Sequence, residues 1–500
     1  MVEAIVTGIL NFFTSTVLIA SLAGVVIGLV FGLMPGIGVT AAMAIILPLT
    51  FGLDAEVALS LLLAIHAVGV TGGSITAILL GIPGTGLNAA TVLDGFPLTK
   101  KGQGGRAVGA ALCSSGLGGL FGAVILMAIL PVAYQVVLAF GSGETLMVAI
   151  LGLTFITVLS RESTLKGLIS GLVGISLGFV GTQDMSGISR FTFGSLYLFE
   201  GFSIIPFILG MFALPEVIEL ALKGHGTIAN VDSVASSQTQ WSQVWDGVKD
   251  VFRHWKLFLR CSSIGTGIGL IPGIGGEVAT FVGYAHAKQT SRHPEMFGEG
   301  TIEGVIGPES ANNSKEGGAM LPTLAFGVPG SVVMVILLGA LVIQGITPGP
   351  SMLREHLDLS WTLITCLVVS NILGVVLLLP VIGSFSKLAY VRGSTLVPLI
   401  LVATGFGAYV YQGQFLDIVM TFVWGLLGYA MIKLGYNRVA LLLGFILADK
   451  VERYAHLAYS GLGFAFLLRP ISLILAISSV LMLTTPLVKR SFRMIRRRKT

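Results

Sequence analysis

Clusters of polar side chains adjoin two Gly-x-Pro-Gly turns in an otherwise apolar chain, and their types suit the binding of small ions. The turns are Gly81-Ile82-Pro83-Gly84 and Gly327-Val328-Pro329-Gly330. The polar residues after the first turn and before the second are Thr85, Asn88, Thr91 and Asp94, and Glu309, Ser310, Asn312, Asn313, Ser314, Lys315 and Glu316. Hydroxyl and amide groups donate hydrogen bonds to carboxylates, and oxygen atoms bind hard cations. Polar groups among apolar residues are costly and indicate a site, the alternative being that they lie in loops or cap half-helices.

A second pair of breaks has the sequence Pro-Gly-Ile-Gly, at Pro35–Gly38 and Pro272–Gly275. Proline removes an amide donor and glycine permits non-helical dihedral angles, so we expect an unwound turn at each break. A half-helix that starts there offers amides and a positive dipole end to a carboxylate, and unwound carbonyls can hold a cation. Glycines at four-residue spacing precede both breaks, and for these stripes close helix packing is the competing interpretation.

The breaks therefore predict one central site for an anion and a coupling cation. Backbone amides would bind substrate carboxylates, and Lys315 would pair either with substrate or with Glu316. The predicted substrate-binding residues are Pro35, Gly36, Gly38, Pro83, Gly84, Thr85, Asn88, Gly273, Gly275, Asn313, Ser314, Lys315, Pro329, Gly330 and Ser331. The predicted coupling-ion residues are Thr40, Glu277 and Asn312.

The composition indicates that this site lies within a membrane protein. Of the 500 residues 54% are hydrophobic and 11% are charged, far from the roughly 25% charged residues of a soluble domain. Apolar runs of the length that crosses a bilayer recur from end to end. We expect an all-α polytopic integral membrane protein with about 10–12 transmembrane helices plus broken or re-entrant helices.

One long polar stretch, 223–256, divides the chain into two similar halves. Its last part places apolar and aromatic residues at helical spacing, which predicts an amphipathic helix in the membrane interface. The seven positions are Trp241, Val244, Trp245, Val248, Val251, Phe252 and Trp255. We therefore expect a first transmembrane repeat at 1–222, this linker, a second repeat at 257–486 and a basic cytoplasmic tail at 487–500.

The two halves repeat both kinds of break in the same order, which indicates a duplication. Loops that follow equivalent breaks carry opposite charge. Asp54 and Glu56 follow the first Pro-Gly-Ile-Gly break, whereas Lys288 and Arg292 follow the second. If basic loops lie in the cytoplasm, the repeats are inverted.

Other classes of protein find little support in the sequence. The net charge of +5 comes from seven basic residues after Pro486, which does not indicate a nucleic-acid-binding domain. There is no HExxH, GxSxG or phosphate-binding loop, so we expect neither an enzyme nor a cofactor, and no metal beyond a sodium ion. The three cysteines stand alone within apolar runs and are expected to fill space.

Several motifs in order resemble the large membrane subunit of the tripartite tricarboxylate transporters, the TctA family. The likeness covers nearly the whole chain. The motifs that carry it are the Gly28–Gly38 break, Gly81–Thr85 leading to Thr91-xx-Asp94-Gly95-Phe96-Pro97, and Pro308–Asn313 leading to Leu321-Pro322-Thr323 and Gly327–Gly330. After the Asn-Asn pair the family commonly has small residues, whereas this chain has Ser314, Lys315 and Glu316.

The resemblance implies a multi-pass permease of the bacterial inner membrane that imports citrate or other tri- and dicarboxylates with a sodium or proton gradient. It further implies two partners, a small four-helix membrane subunit and a periplasmic solute-binding protein. Two alternatives stay open at this point. One is a stand-alone organic-anion carrier without a binding protein, and the other is a channel or scaffold subunit whose glycine stripes serve only packing.

Overall fold

The computed structural model describes residues 1–34, 38–158, 163–183, 186–222, 241–272, 276–379 and 393–497. These residues are nearly all helical, apart from a small antiparallel pair of strands, β1 (Gly181–Thr182) and β2 (Ser189–Arg190). The helices of the first half are α1 (Val2–Phe12), α2 (Ser15–Leu33), α3 (Val39–Ile46), α4 (Ala55–Leu80), α5 (Ala89–Lys100), α6 (Gly104–Leu138), α7 (Ser142–Val158), α8 (Thr164–Gly178), α9 (Ile204–Ile208) and α10 (Leu214–Leu222). Those of the second half are α11 (Trp241–Arg253), α12 (Trp255–Gly269), α13 (Gly276–Thr290), α14 (Glu303–Phe326), α15 (Val332–Ile343), α16 (Pro350–Glu355), α17 (Leu357–Leu378), α18 (Gly393–Gln412), α19 (Phe415–Leu434), α20 (Arg438–Leu462) and α21 (Pro470–Arg497).

Six helices in the described part of the chain are long and apolar enough to cross a bilayer. They are Ser15–Leu33, Ala55–Leu80, Gly104–Leu138, Ile204–Leu222, Leu357–Leu378 and Phe415–Leu434. A seventh arises if Arg438–Leu468 and Pro470–Thr484, which meet at 74°, form one broken span. The number is below the expected 10–12 because several apolar helices, including α3, α8 and α15, have only 8 to 15 residues. Such lengths suit half-helices better than full crossings.

Two long helices, α4 and α14, occupy the centre of the molecule. Nearly every side chain of both is buried, although α14 carries the polar run from Glu309 to Glu316. Helix α14 packs against α6, α12 and α13, while α4 packs against α2 and α17. The polar run is therefore shielded from lipid by surrounding helices, as polar side chains at membrane depth require.

The glycine stripes bring these helices into close backbone contact. A Cβ atom on Gly24 of α2 would lie 2.8 Å from the Cβ of Ala64 on α4. On the other side, a Cβ on Gly265 of α12 would lie 2.7 Å from the Cα of Ala311 on α14. Real Cβ atoms do not approach so closely, so glycine permits the approach in both halves. This geometry agrees with the packing interpretation of the stripes.

Helix α11 lies along α6, in the segment where the sequence predicts an interfacial helix. Val244 and Val251 are buried against α6, and Arg106 on α6 donates to Asp250 at 2.5 Å. Trp241 and Trp245 remain more than half exposed. One face of α11 thus packs on protein while its aromatic edge points outward.

Candidate functional site

Four of the predicted site residues lie outside the described residues, namely Pro35, Gly36, Gly273 and Gly275. The flanking residues are described. Gly38 precedes α3, and Thr40, half-buried, is the second residue of that helix. Glu277 is the second residue of α13, the equivalent position in the other half. Both residues therefore lie in the first turn of a helix that follows a break.

The Gly-x-Pro-Gly turns after α4 and α14 begin in the same way. Each helix ends at a glycine in the left-handed region, Gly81 (φ 69°, ψ 15°) and Gly327 (φ 66°, ψ 22°). The amide of Ile82 donates to Thr76 O at 3.4 Å, and the amide of Val328 donates to Pro322 O at 3.0 Å. A residue with a Cβ is disfavoured at such a φ, which explains glycine at both helix ends.

After each turn the chain folds back onto the helix it has just left. The amide of Gly84 donates to Gly73 O at 3.4 Å, and the amide of Gly330 donates to Thr323 Oγ1 at 3.4 Å. Ser331 then caps α15, its Oγ accepting from the amide of Met334 at 3.4 Å. Pro83 and Pro329 sit within these turns, where a missing amide donor costs nothing. The turns are thus fixed to the two central helices.

Asn88 joins the first turn to α4. Its Oδ1 accepts from the amide and the hydroxyl of Thr85, at 3.2 and 2.7 Å. Its Nδ2 donates to Val70 O at 3.0 Å and to Ser74 Oγ at 2.9 Å. These four bonds use the whole capacity of an asparagine side chain. Asn88 can therefore bind a substrate only by giving up one of them.

Asn313 and Ser314 connect α14 to its neighbours. Asn313 Nδ2 donates to Thr71 Oγ1 on α4 and to Asn371 Oδ1 on α17, both at 2.9 Å. Ser314 Oγ donates to Ala311 O at 3.3 Å and faces Gly265 of α12. Both side chains are buried, so they form part of the polar interior.

A buried charged triad lies one turn further along α14. Lys315 Nζ donates to Glu316 Oε1, and His66 Nε2 on α4 lies 2.5 Å from Glu316 Oε2. The three side chains are at most 3% exposed. Lys315 pairs with Glu316, the second of the two arrangements that the sequence allows. With a neutral histidine the triad carries no net charge, which suits a buried position.

A second buried carboxylate, Glu309, has a different surrounding. It accepts hydrogen bonds from three hydroxyl groups on three other helices: Ser74 Oγ of α4 at 2.8 Å, Thr91 Oγ1 of α5 at 2.5 Å and Ser115 Oγ of α6 at 2.6 Å. Asn312, one turn along α14, adjoins this carboxylate, but neither polar atom of its side chain has a hydrogen bond of normal geometry within the described structure. Glu309, Ser74, Thr91, Ser115 and Asn312 are called the Glu309 cluster below.

Thr91 and Glu309 are among the polar residues that the sequence places beside the turns, but of this cluster only Asn312 is a predicted site residue. The donors lie 235, 218 and 194 residues from Glu309, so no local spacing reveals them. The one local signal is the three-residue step from Glu309 to Asn312, which places both on one face of a helix.

The structure places predicted site residues in two groups. In the first, Gly86 faces the carboxyl group of Glu277, and Lys315 passes beside Gly276 and Leu87. In the second, α3 with Gly38 and Thr40 packs against α15, which follows Gly330 and Ser331. The main packing partners of α3 do not include α14, so Thr40 and Asn312 belong to different groups.

Glu277 also lines an outward groove of about 400 Å³ between α12 and α13. Apolar side chains form most of its wall, including Ile264, Phe281 and Val282. Within the part of the chain that the structure describes, no group of three or more His, Cys, Asp or Glu residues could hold a metal ion.

Comparison with known proteins places the chain among membrane transporters. The model of the tripartite tricarboxylate transporter TctA family matches residues 18–443. An uncharacterized 52.8 kDa protein in the TAR-I ttuC' 3' region of Agrobacterium vitis is 35% identical over 452 residues, which cover 90% of this chain and 89% of the relative. An uncharacterized protein in the TAR-II ttuC' 3' region of the same organism is 38% identical over 190 residues, 38% of this chain and 78% of that relative. No solved structure matches.

Proposed function

Since the chain belongs to the tripartite tricarboxylate transporter TctA family, we propose that it is the large permease subunit of a binding-protein-dependent secondary transporter. Several apolar helices of spanning length and the family together support a multi-pass membrane protein. The proposed cargo is citrate or other tri- and dicarboxylates, imported across the bacterial inner membrane. The proposed energy source is an inward gradient of sodium ions or protons.

The observation that carries this proposal is the pair of equivalent turns at the ends of α4 and α14, beside buried polar side chains. Broken helices with polar groups at their ends are how secondary transporters bind charged substrates and ions inside the membrane. A structural role alone does not require a fully buried carboxylate and a fully buried charged triad in the two central helices, since buried charge is costly. The arrangement therefore supports transport over a scaffold role.

For the substrate, we propose the residues at the breaks as predicted from the sequence. Amides at the start of α15, such as those of Ser331 and Val332, have no acceptor within their helix and lie at its positive dipole end. Lys315 would add a positive charge beside the first turn, where Gly276 and Leu87 adjoin it. A carboxylate would thus meet amides and one cation.

Three residues in different parts of the fold are candidates for binding the coupling ion. Asn312 is the strongest, because its amide group is buried and without a normal hydrogen bond among the described residues. Thr40 and Glu277 are candidates at the starts of α3 and α13, and the sequence predicts carbonyl oxygens from the preceding Pro-Gly-Ile-Gly breaks as further ligands.

The proposed transport cycle uses two inverted repeats. Opposite loop charges support the inversion, as does the reciprocal packing of the halves, with α13 against the Gly86–Asn88 turn and α3 against α15. One bundle carrying the breaks would move past a scaffold formed by later helices of each half, so that the site faces each side in turn.

The partners proposed are a periplasmic solute-binding protein and a small four-helix membrane subunit. Reconstitution tests the whole proposal: the chain and its small subunit are placed in proteoliposomes, and uptake of radiolabelled citrate and dicarboxylates is measured with and without the binding protein. We expect uptake only when all three proteins and an inward cation gradient are present. Uptake that needs no binding protein would replace the proposal with a stand-alone carrier.

A further inference from the structure

Glu309 is a buried carboxylate with no compensating positive charge in the described part of the structure. Its side chain is 0% exposed, and no Lys, Arg or His among those residues forms an ion pair with it. Lys315, further along α14, and His66 on α4 are both engaged by Glu316. An ionised carboxylate in such a position is strongly disfavoured unless a cation joins it.

The groups around Glu309 are all oxygen donors of the kind that hard cations prefer. Three hydroxyl oxygens lie 2.5 to 2.8 Å from its carboxylate oxygens, and the amide of Asn312 is close by. Neither nitrogen nor sulfur ligands from His or Cys are present, which argues against a transition metal. The single carboxylate balances one positive charge, whereas calcium and magnesium sites use several carboxylates or phosphates.

The side chain of Asn312 is the second observation that points to a ligand. It is 1% exposed, and both its Oδ1 and Nδ2 lack a hydrogen bond of normal geometry to any described residue. Buried polar groups are satisfied in the great majority of cases, so such a group calls for a partner. Asn312 lies one turn from Glu309 on α14 and its side chain adjoins the carboxylate, so rotation of its amide group would present the carbonyl oxygen to a cation bound there.

We propose that the Glu309 cluster binds a sodium ion, with the carboxylate, the hydroxyl groups of Ser74, Thr91 and Ser115, and the Asn312 carbonyl oxygen as ligands. The close spacing of the oxygens from four packed helices favours a small ion over potassium. This inference rests on the proposed function, since it names the site of the coupling ion. It adds four residues, Glu309, Ser74, Thr91 and Ser115, to the coupling-ion residues predicted from the sequence.

The cluster also links the ion to the substrate turn. Ser74 Oγ donates to Glu309 and accepts from Asn88 Nδ2, and Asn88 Oδ1 in turn holds the amide and hydroxyl of Thr85. When Ser74 Oγ binds the ion through a lone pair, its O–H group can rotate and donate to Val70 O, 3.4 Å away. Ion binding therefore changes the hydrogen bonds that fix the first turn, which gives a physical route for reciprocal coupling between ion and substrate.

Sodium binding to the purified full-length chain in detergent tests the inference without substrate or partner proteins. Sodium chloride replaces choline chloride at constant ionic strength, and the midpoint of thermal unfolding is measured together with ²²Na⁺ binding. We expect saturable binding and a midpoint that rises by about 2 °C for each tenfold increase in sodium above the dissociation constant. Potassium should give at most a tenth of the effect at equal concentration.

The Glu309→Gln variant should lose the sodium-dependent shift, with sodium affinity reduced at least tenfold. Glu144→Gln is the matched control, because Glu144 is also a buried carboxylate but accepts from the Gly141 amide and Ser472 and lies near Arg469. Its sodium response should equal that of the unaltered chain. Thr91→Val and Ser115→Ala keep the carboxylate and should each weaken sodium binding several-fold. These two variants test the inference if Glu309→Gln does not fold.

Three results would overturn the inference. They are an unaltered chain that binds no ²²Na⁺, a shift that persists equally in all cluster variants, and stabilisation by low pH with no response to sodium, which would identify a protonated carboxyl group instead. The outcome is separable from that of the proposed function. Carboxylate uptake without sodium binding removes only the sodium site, and sodium binding without carboxylate uptake removes only the proposed function.

Discussion

Removal of Lys315 should reveal how strongly the charged triad depends on charge balance. Lys315 and Glu316 are each 3% exposed, and the lysine ammonium group donates to a carboxylate that also contacts His66 at 2.5 Å. Adjacent residues on a helix do not normally face one another, so the lysine side chain must bend back to reach Glu316. We expect Lys315→Met to leave a buried carboxylate whose remaining contact is His66.

The magnitude follows from the burial of both partners. Loss of one member of a buried ion pair costs about 3–5 kcal/mol, because the other charge stays buried without compensation. Glu316→Gln alone should cost a similar amount for the same reason. The double variant Lys315→Met with Glu316→Gln removes both charges and should recover to within about 1 kcal/mol of the unaltered chain.

Unfolding of the four proteins by SDS titration in mixed micelles measures these free energies and closes a double-mutant cycle. Lys249→Met is the surface control, because the Lys249 and Asp246 side chains are more than half exposed and their pair should contribute no measurable stability. A double variant as unstable as Lys315→Met would refute the charge-balance argument. Since Lys315 is also a proposed substrate ligand, the double variant should fold but should bind substrate roughly tenfold more weakly than the unaltered chain. Full recovery of uptake would remove Lys315 from the substrate site.

Three further predictions concern glycine packing, the buried side chain of Asp94 and the Pro-Gly-Ile-Gly breaks. Gly269→Ala should destabilise the chain by about 1–3 kcal/mol, because a Cβ there would lie 3.0 Å from the amide of Ala319. Gly267→Ala is the control and should be neutral or slightly stabilising, because a Cβ there would have nothing within 4 Å. Thermal unfolding in detergent compares the two variants, and equal effects would contradict the packing assigned to the glycine stripe. Asp94→Ala should loosen the loop before α14, because three backbone amides of that loop donate to Asp94 Oδ1 at 2.8 to 3.0 Å. Limited proteolysis should cleave this loop faster in the variant, and unchanged cleavage would show that other contacts hold the loop. Gly36→Val or Gly273→Val should abolish uptake without preventing membrane insertion, and unchanged uptake in both would remove these breaks from the site.

Local sequence patterns were sufficient for the helical class and for the ends of the two central helices. The Gly-x-Pro-Gly sequence predicts the end of a helix. Helices α4 and α14 do end there, at Gly81 and Gly327, each glycine in the left-handed region. Composition predicts a membrane protein, and six helices of spanning length are present in the described residues. These features depend on neighbouring residues, so the sequence contains them directly.

Features that depend on distant residues could not be predicted in the same way. The four hydrogen bonds that Asn88 makes to Thr85, Val70 and Ser74 depend on how the turn packs on α4. The donors to Glu309 come from three other helices, and only the tertiary fold brings them together. The number of crossings was equally hard to predict, because a short apolar run serves as a half-helix or as part of a span according to its neighbours.

The steady-state ratio of internal to external citrate in proteoliposomes tests the central claim most directly. The vesicles contain the chain with its small membrane subunit, the binding protein is outside, and the cation gradient is imposed and then collapsed with an ionophore. Our account predicts that citrate accumulates well above its external concentration and leaves when the gradient is collapsed. Citrate that only equilibrates, at a rate and level independent of the gradient, would contradict the account and indicate a channel.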